Sequence, residues 1–225
     1  MPANPPSVRI WMGQINLARS RIATEELGTY TRRAGVDILL IQEPYVRSNR
    51  TINLGIEARI VHVQTCTPWA GFAVLNKDYV VTQISRATTT LQATARIKTE
   101  DWDIVAVSVY SKVTKEAKAD IRRTTRELEQ ALKTAKDRYH VVGMDVNAKS
   151  RLWNSGTTDE RGAKMEEFIA VHNLKVENTE QELSTFHGAQ GQSNIDITLT
   201  NGRNGLRTYN WKVIGDATIS DHNLI

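Results

Sequence analysis

The residues of this chain best able to do chemistry lie where short apolar segments begin or end. Each such end carries a carboxylate, an amide, a phenol or an imidazole: Asn16, Glu43, Tyr110, Asp145 with Asn147, Asp196, and Asp221 with His222. One of these residues alone is typical of an ordinary turn. Strands that end at one edge of a sheet can hold such groups together on a rigid scaffold. The combination therefore favours a single polar site.

The composition of this set limits the reaction. Four of its members are acids and one, His222, is an imidazole. Oxygen-rich sets suit a hard cation such as Mg²⁺ or Mn²⁺ better than zinc. The sequence has no G-x-S-x-G motif and no P-loop, which disfavours acyl transfer and nucleotide-driven chemistry. The set favours metal-assisted hydrolysis of a phosphate ester, in which a histidine oriented by a carboxylate moves a proton.

Hydrophobic patterning predicts the elements that position this site. Twelve short, mostly β-branched stretches have the length of strands, among them Arg207–Ile214 and a last one beginning near His222. Helical periodicity is present in residues 19–34, 115–137 and 160–172. Many strands and few helices predict an α/β fold, a four-layer sandwich of two packed mixed β-sheets flanked by helices.

Composition bounds the class of protein. The chain has 225 residues, 40% hydrophobic and 24% charged, which predicts one domain over residues 8–225 after a flexible tail at residues 1–7. The longest aliphatic run, Ile38–Ile41, is far shorter than the ~20 residues of a membrane helix. No secretory signal is recognisable. The single cysteine, Cys66, excludes an internal disulfide and a zinc-binding thiol cluster.

The charge of the chain is mildly positive and locally concentrated. Twenty-nine Lys and Arg residues against 25 Asp and Glu residues give +4. The stretch Lys112–Arg138 holds nine of the basic residues and five of the acidic ones. A solvated outer helix face is the simpler interpretation, and contact with a polyanion is the alternative.

The order of the strand-end motifs resembles the exonuclease–endonuclease–phosphatase superfamily, which includes deoxyribonuclease I and the abasic-site repair endonucleases. The matching elements are Gln14-Ile15-Asn16, Gln42-Glu43-Pro44, Val109-Tyr110-Ser111, Gly143-Met144-Asp145-Val146-Asn147-Ala148, Ser193-Asn194-Ile195-Asp196 and Ser220-Asp221-His222. They span nearly the whole chain. Within the superfamily, Trp153, Arg161-Gly162 and Thr185-Phe186 resemble the endonuclease domain of non-LTR retrotransposons.

The resemblance implies a metal group and a catalytic group. The metal, Mg²⁺ or Mn²⁺, would be held by Glu43, Asn16 and Asp221. The catalytic group, which would hold phosphate oxygens, orient water and transfer protons, consists of Tyr110, Asp145, Asn147, Asp196 and His222. Within it, Asp196 would orient His222, and whether Asp145 acts as base or acid stays open.

Two loops are expected at the DNA, the first from the resemblance and the second from its Asn-Gly turn signals. The stretch between Thr185 and Asp196 would form a hairpin beside the site, and its glycines permit close approach to a groove. The Asn-Gly stretch Asn201–Gly205 would form the tip of another hairpin between strands. The residues assigned to the DNA are Thr185, His187, Gln190, Gln192, Arg203 and Arg207. Thr185 would also support the site by hydrogen bonding, and both loops have simple surface turns as the alternative.

The function implied is that of a divalent-metal-dependent endonuclease. It would nick double-stranded chromosomal DNA and leave a 3′-hydroxyl that primes reverse transcription. Its partner would be a reverse transcriptase domain of the same polyprotein, and the isolated domain would be a nuclear monomer without membrane contact. The alternatives are an abasic-site repair endonuclease, a phosphatase of the superfamily and a catalytically inactive DNA-binding module.

Three features depart from the family pattern. One extra residue separates Gly143 from Asp145, although the alternation of a strand would still place Asp145 and Asn147 on one face. Ala18 stands where repair enzymes carry an acid, which disfavours the repair alternative. The last residue, Ile225, falls inside an expected strand, which predicts a domain cut from a longer polyprotein.

Overall fold

Two β-sheets packed face to face form the centre of the fold. The computed structural model describes residues 9–47, 51–115, 117–134, 136–189, 191–202 and 207–225. The predicted tail at residues 1–7 lies outside the described residues. Among the helices that the structure describes, none has the length and apolarity needed to span a bilayer.

The first sheet has four strands in the order β1-β2-β6-β5. They are β1 (Met12–Asn16), β2 (Ile38–Gln42), β5 (Arg59–His62) and β6 (Ala70–Val74). The short strands β3 (Val46–Arg47) and β4 (Thr51–Ile52) pair with each other after β2. The strands β1 and β2 are parallel and their neighbours antiparallel, so this sheet is mixed.

The second sheet has six strands in the order β11-β14-β10-β9-β8-β7. They are β7 (Val80–Gln83), β8 (Gln92–Lys98), β9 (Asp103–Tyr110), β10 (Tyr139–Asp145), β11 (Lys175–Val176) and β14 (Asp196–Thr200). Only β9 and β10 are parallel among these pairs, so this sheet is also mixed. A separate hairpin is formed by β12 (Phe186–Gly188) and β13 (Gly191–Ser193).

In the described residues three α-helices complete the sandwich, and all three predicted helices are confirmed: α1 (Arg21–Ala34), α2 (Ala117–Thr134) and α3 (Glu160–Val171). The hydroxyl of Ser20 caps the start of α1 by accepting from the N–H of Ala23. Gly35 ends α1 in the left-handed conformation, with φ 67°. The arginines that α2 contributes to the basic stretch, including Arg122 and Arg126, are exposed on its outer side.

Strand alternation divides the core into three layers of apolar side chains. On β2, Leu39 faces α1, whereas Leu40 faces the second sheet. On β9, Ala106 faces the first sheet, whereas Val107 packs under α2 and α3. Three apolar layers separate four layers of secondary structure, so the predicted four-layer sandwich is confirmed.

The two sheets approach closely below the ends of β2 and β10. The buried Gln42 amide donates to the Ser108 hydroxyl at 2.9 Å and to the Gly143 carbonyl at 3.2 Å. Gly143 is needed there because a Cβ at this position would lie 2.6 Å from Leu40 Cδ1 and 2.8 Å from Gln14 Oε1. The inner faces thus change from apolar to polar towards the ends of the strands.

The predicted strand Arg207–Ile214 is wrong. Residues 207–213 have no strand conformation, and Ile214 makes an isolated bridge to Leu224. Both edges of β14 are already paired, with β10 on one side and β11 on the other, so a following strand cannot pair with it. The segment is instead attached through side chains, since the Trp211 indole N–H donates to the Thr198 hydroxyl at 3.0 Å. The second strand expected after the loop Asn201–Gly205 is therefore missing at residues 207–213, and residues 203–206 lie outside the described residues.

Candidate active site

Three neighbouring strands of the second sheet place three predicted catalytic residues in one row. Asp145 is paired in register with Tyr110 on β9 and with Asp196 on β14. Both aspartates are 1% exposed. Neighbouring strands lie about 4.8 Å apart. The row therefore gathers two buried carboxylates and a phenol at the ends of β9 and β10.

The first sheet contributes an amide and a third carboxylate from the opposite side. The Asn16 amide nitrogen donates to Asp145 Oδ2 at 2.8 Å and to Glu43 Oε1 at 3.3 Å. Asn16 Oδ1 accepts from the N–H of Ala18 at 2.8 Å. Glu43, the first residue after β2, has a φ of 42°, an uncommon conformation for a non-glycine residue. Asn16 therefore bridges the carboxylates of the two sheets.

His222 closes the other end of the row. Its Nδ1 lies 2.9 Å from Asp196 Oδ2, and its ring is 4.8 Å from that of Phe186 on β12. The Thr185 hydroxyl accepts from the N–H groups of Ile195 and Asp196, both at 3.1 Å. Asp196 is thus held by the backbone around it and in turn orients His222.

The electrostatics of the row favour a charged histidine and a neutral tyrosine. Burial alone would lower the pKa of His222, but the carboxylates of Asp196, Asp145 and Glu43 outweigh it and raise the pKa to about 9. Burial and the charge of Asp196 raise the pKa of Asp145 to about 7. Burial and the hydrogen bond to Glu43 raise the pKa of Tyr110 above its ordinary range, so its hydroxyl is a donor at neutral pH.

The donor set fits a divalent cation. Asp145, Asp196 and His222 each offer a ligand atom, and these atoms lie within 4.8 Å of one another. Asp196 Oδ1 is buried and accepts no hydrogen bond from the described residues. Two carboxylates that repel each other, with a third at Glu43, are the chemistry that a hard cation stabilises.

The predicted metal ligands Glu43, Asn16 and Asp221 are only partly brought together. Glu43 and Asn16 are in contact, whereas the Asp221 side chain is exposed and outside the group of Asp145, Asp196 and His222. The Asp221 carbonyl accepts from the N–H of His187 at 2.7 Å. The assignment of the metal to Glu43, Asn16 and Asp221 stays a prediction.

Asn147 is placed differently from the sequence argument. The strand β10 ends at Asp145, and Asn147 has a φ of 47°, so strand alternation does not determine where it lies. Its N–H donates to Asp145 Oδ1 at 3.0 Å, and its carbonyl accepts from Arg161 Nε at 3.1 Å. The buried Trp153 fixes the same loop by donating to the Ala148 carbonyl at 3.2 Å.

Of the residues assigned to the DNA, Thr185 requires correction. It is 0% exposed and its hydroxyl is engaged by backbone N–H groups, so direct contact with DNA is wrong and the supporting role remains. The hairpin expected around Gln192 is present as β12 and β13, and it pairs with His222 through Phe186. His187 and Gln192 lie on this hairpin beside the row.

The remaining DNA assignments lie outside the site or outside the described residues. Gln190 and Arg203 fall among the residues that are not described. Arg207 is exposed, and the neighbouring Thr208 lies by Tyr139, at the end of β10 opposite Asp145. The structure therefore does not bring Arg207 to the catalytic row.

The sequence analysis gave no role at the site to three residues that border the row, although Arg161 contributed to the family resemblance. Arg19 was included in the helix over residues 19–34, but it precedes α1 and lies 3.9 Å, Nε to Oε2, from Glu43. Trp69 precedes β6 and stacks on Tyr110. Arg161 binds the Ser111 hydroxyl at 2.7 Å besides Asn147. For Arg19 and Trp69 the sole signal is a large polar or aromatic residue next to the end of an element, and such a signal has no sequence period.

Comparisons with known proteins agree with this geometry. The family described as endonuclease-reverse transcriptase matches residues 104–225. The Pol polyprotein of the type-1 retrotransposable element R1 from Bradysia coprophila is 41% identical over 95 residues, 39% of this chain and 10% of that protein. A putative 115 kDa protein of element R1DM from Drosophila melanogaster is 26% identical over 221 residues, 94% of this chain and 21% of that protein. The chain thus spans about a fifth or less of these relatives.

Solved structures share the fold along nearly the whole chain. The endonuclease domain of TRAS1, a telomere-specific non-LTR retrotransposon, has a TM-score of 0.83 and 28% identity, covering 96% of both chains. The AP endonuclease LMAP from Leishmania major shares the fold at a TM-score of 0.73 and 10% identity, over 95% of this chain and 85% of that one. The predicted family is confirmed: the chain belongs to the endonuclease-reverse transcriptase family, as an endonuclease domain of the kind that non-LTR retrotransposons carry.

Proposed function

We propose that this nuclease domain is a divalent-metal-dependent endonuclease that nicks double-stranded chromosomal DNA. The nick leaves a 3′-hydroxyl that primes reverse transcription of the element. The observation that carries the proposal is the buried row of Tyr110, Asp145 and Asp196, closed by His222 and joined to Glu43 through Asn16. Among the described residues, the one group of acids, histidines or cysteines whose ligand atoms are close enough to hold a metal ion is Asp145, Asp196 and His222.

The residues of the row have different roles in phosphodiester hydrolysis. His222, charged because its pKa is raised to about 9, stabilises the scissile phosphate and its developing negative charge. Asp196 fixes the ring by its contact with Nδ1, which leaves Nε2 for the phosphate. The neutral Tyr110 hydroxyl and Asn147 hold non-bridging oxygens.

Asp145 is the proton-transferring group. Its pKa of about 7 allows it to take a proton from water or to give one to the leaving oxygen near neutral pH. Glu43, with Asn16 and Asp221, would hold Mg²⁺ or Mn²⁺. When bound, the cation offsets the charge of the phosphate and of the surrounding carboxylates.

The polyprotein context is proposed from the relatives. The Bradysia relative is a Pol polyprotein of a retrotransposable element, and the TRAS1 relative is an endonuclease domain. We place this domain beside a reverse transcriptase domain in one polyprotein, acting in the nucleus on chromosomal DNA. As an isolated domain it is proposed to be a monomer.

Nicking of supercoiled plasmid tests the proposal. Purified protein with Mg²⁺ is expected to produce open circles, and EDTA is expected to stop the reaction. The variants His222→Ala and Asp145→Asn should lose at least about 100-fold in rate, since acid–base groups contribute about 10²–10⁴-fold. The matched control Asp101→Asn removes an exposed acid from the loop between β8 and β9 and should nick normally.

An oligonucleotide that carries one abasic site is tested as a second substrate under the same conditions. Nicking of intact plasmid that EDTA and both variants abolish supports the proposal. Cleavage confined to the abasic oligonucleotide would replace it with a repair function. Salt-sensitive DNA binding without cleavage would replace it with a binding module.

A further inference from the structure

An indole at the edge of the row gathers two cations beside Glu43. The Trp69 ring is stacked on the Tyr110 ring, with centroids 5.3 Å apart and planes within 9°. Arg19 Cζ lies 3.8 Å from the Trp69 centroid, and Lys112 Nζ lies 5.2 Å from it. Both distances are within the range of cation–π attraction. We refer to Arg19, Trp69 and Lys112 as the indole cluster.

The backbone presents Arg19 to this cluster in an uncommon conformation. Ala18 and Arg19 have φ values of 45° and 56°, between the end of β1 and the start of α1. The Arg19 N–H donates to the Glu43 carbonyl at 2.8 Å. Left-handed non-glycine residues persist where the surroundings determine them, and they concentrate at functional sites. The loop therefore fixes the guanidinium next to the row.

The guanidinium of Arg19 keeps its hydrogen-bonding capacity. Its Nε is buried without a hydrogen-bond partner among the described residues and lies 3.9 Å from Glu43 Oε2, too far for a hydrogen bond. The side chain is 35% exposed, and this exposure belongs to its other atoms. Lys112 is exposed. A stacked guanidinium and an exposed ammonium are suited to phosphate oxygens.

The position of the cluster separates it from the scissile phosphate. His222 lies at the Asp196 end of the row, whereas Trp69 lies beyond Tyr110 at the other end. Two strand spacings, about 10 Å, separate Tyr110 from Asp196. Tyr110 turns the face of its ring, not its hydroxyl, to Trp69. The phosphate held by His222 and the Tyr110 hydroxyl and a group held at the indole cluster are therefore different parts of the ligand.

We infer that the indole cluster is a binding subsite for one non-scissile phosphodiester of the DNA strand, held by Arg19 and Lys112 with Trp69 as their platform. This inference rests on the proposed function, because it assumes a DNA strand across the row. It assigns Arg19 and Lys112 to substrate binding and Trp69 to positioning them.

The salt dependence of DNA binding tests the subsite without cleavage. Affinity for a fluorescent duplex is measured in EDTA over a range of salt concentrations. The slope of log K against log salt changes by about 0.9 for each phosphate of duplex DNA that the protein no longer neutralises. Arg19→Gln and Lys112→Gln should each reduce the steepness of the salt dependence by up to about 0.9 in slope. Arg33→Gln, an exposed arginine in the last turn of α1, makes the same charge change and should keep the wild-type slope.

Neutral methylphosphonates then locate the bound phosphate. Substituting one linkage at a time should reveal a non-scissile position that weakens wild-type binding at least about five-fold but has little effect on Arg19→Gln. In Trp69→Ala the methylphosphonate at that position should likewise have little effect on binding. In Trp69→Phe it should again weaken binding in part, because a ring remains as the platform. Trp69→Phe also serves if the alanine variant does not fold.

The outcomes separate this inference from the proposed function. Plasmid nicking with unchanged slopes and an unchanged methylphosphonate pattern in Arg19→Gln overturns the subsite and leaves the endonuclease intact. If the wild-type protein does not nick plasmid, the proposed endonuclease function is overturned, and the binding measurements still decide whether the subsite exists. A protein that binds no duplex overturns both.

Discussion

Asp145 lies directly opposite Asp196 in the antiparallel register of β10 and β14, and both side chains are buried. Burial and proximity of two carboxylates disfavour their joint ionisation, which raises the pKa of Asp145 to about 7. The same two charges contribute to keeping His222 protonated. One register relationship therefore accounts for both the acid–base range of Asp145 and the charge of His222.

Removing the carboxylate of Asp196 should lower the pKa of His222. In wild type without metal we expect His222 to titrate at about 9. In Asp196→Asn the negative charge that raises the pKa of His222 is gone while the burial that lowers it remains, so the pKa should fall by at least about one unit. NMR titration of the histidine ring protons in EDTA measures both values, with Asp101→Asn as the control. Titration at the same pH in all three proteins would contradict the assigned pair.

The charged His222 should make stability depend on pH. Its pKa rises from 6.5 to about 9 on folding, so its contribution is complete below pH 6.5 and is lost as pH rises through 9. The contribution is about 3 kcal/mol. Denaturant unfolding in EDTA of wild type and His222→Gln should show a stability difference at pH 6 that shrinks by pH 10. A pH-independent difference would show that packing, not charge, is lost.

Binding of Mg²⁺ should stabilise the fold and identify the ligands. At ten times its Kd the ion adds about 1.4 kcal/mol, or a few degrees in Tm. We expect Glu43→Gln to abolish this shift and His222→Ala to retain it, because His222 is engaged by Asp196. Asp101→Asn is the control. The reverse pattern would favour the group of Asp145, Asp196 and His222 as the metal site.

The sequence predicted the row because each of its members follows or begins an apolar strand. Alternation and strand ends are local properties, so Glu43, Tyr110 and Asp145 could be found before their neighbours were known. The indole cluster could not, because Arg19 and Trp69 meet only when β1 and β6 pack in one sheet with Tyr110 opposite. The strand expected at Arg207–Ile214 failed for a similar reason, since its pattern does not reveal that both edges of β14 are occupied.

The hairpin of β12 and β13 should influence where DNA is cut more than how fast. Gln192 is exposed at this hairpin, which is anchored to His222 through Phe186. Replacing Gln190 and Gln192 with Ala should change the cleavage map of a long duplex while total nicking stays within about three-fold, since groove contacts specify and phosphate contacts position. Gln130→Ala on α2 is the control. An unchanged map would remove this hairpin from target selection.

Gly143→Ala should separate the two sheets just below the row. The added Cβ would lie 2.6 Å from Leu40 Cδ1 and 2.8 Å from Gln14 Oε1, so at least one side chain must move. Overpacking of this kind costs about 1–3 kcal/mol, and Gln14 also accepts from the Thr198 hydroxyl at 3.1 Å. We expect both lower stability in urea and slower nicking, because Asn16 and Asp145 are held across the same gap. Gly156→Ala, which meets nothing within 4 Å, should change neither. Full activity in a destabilised Gly143→Ala protein would show that the row tolerates a wider gap between the sheets.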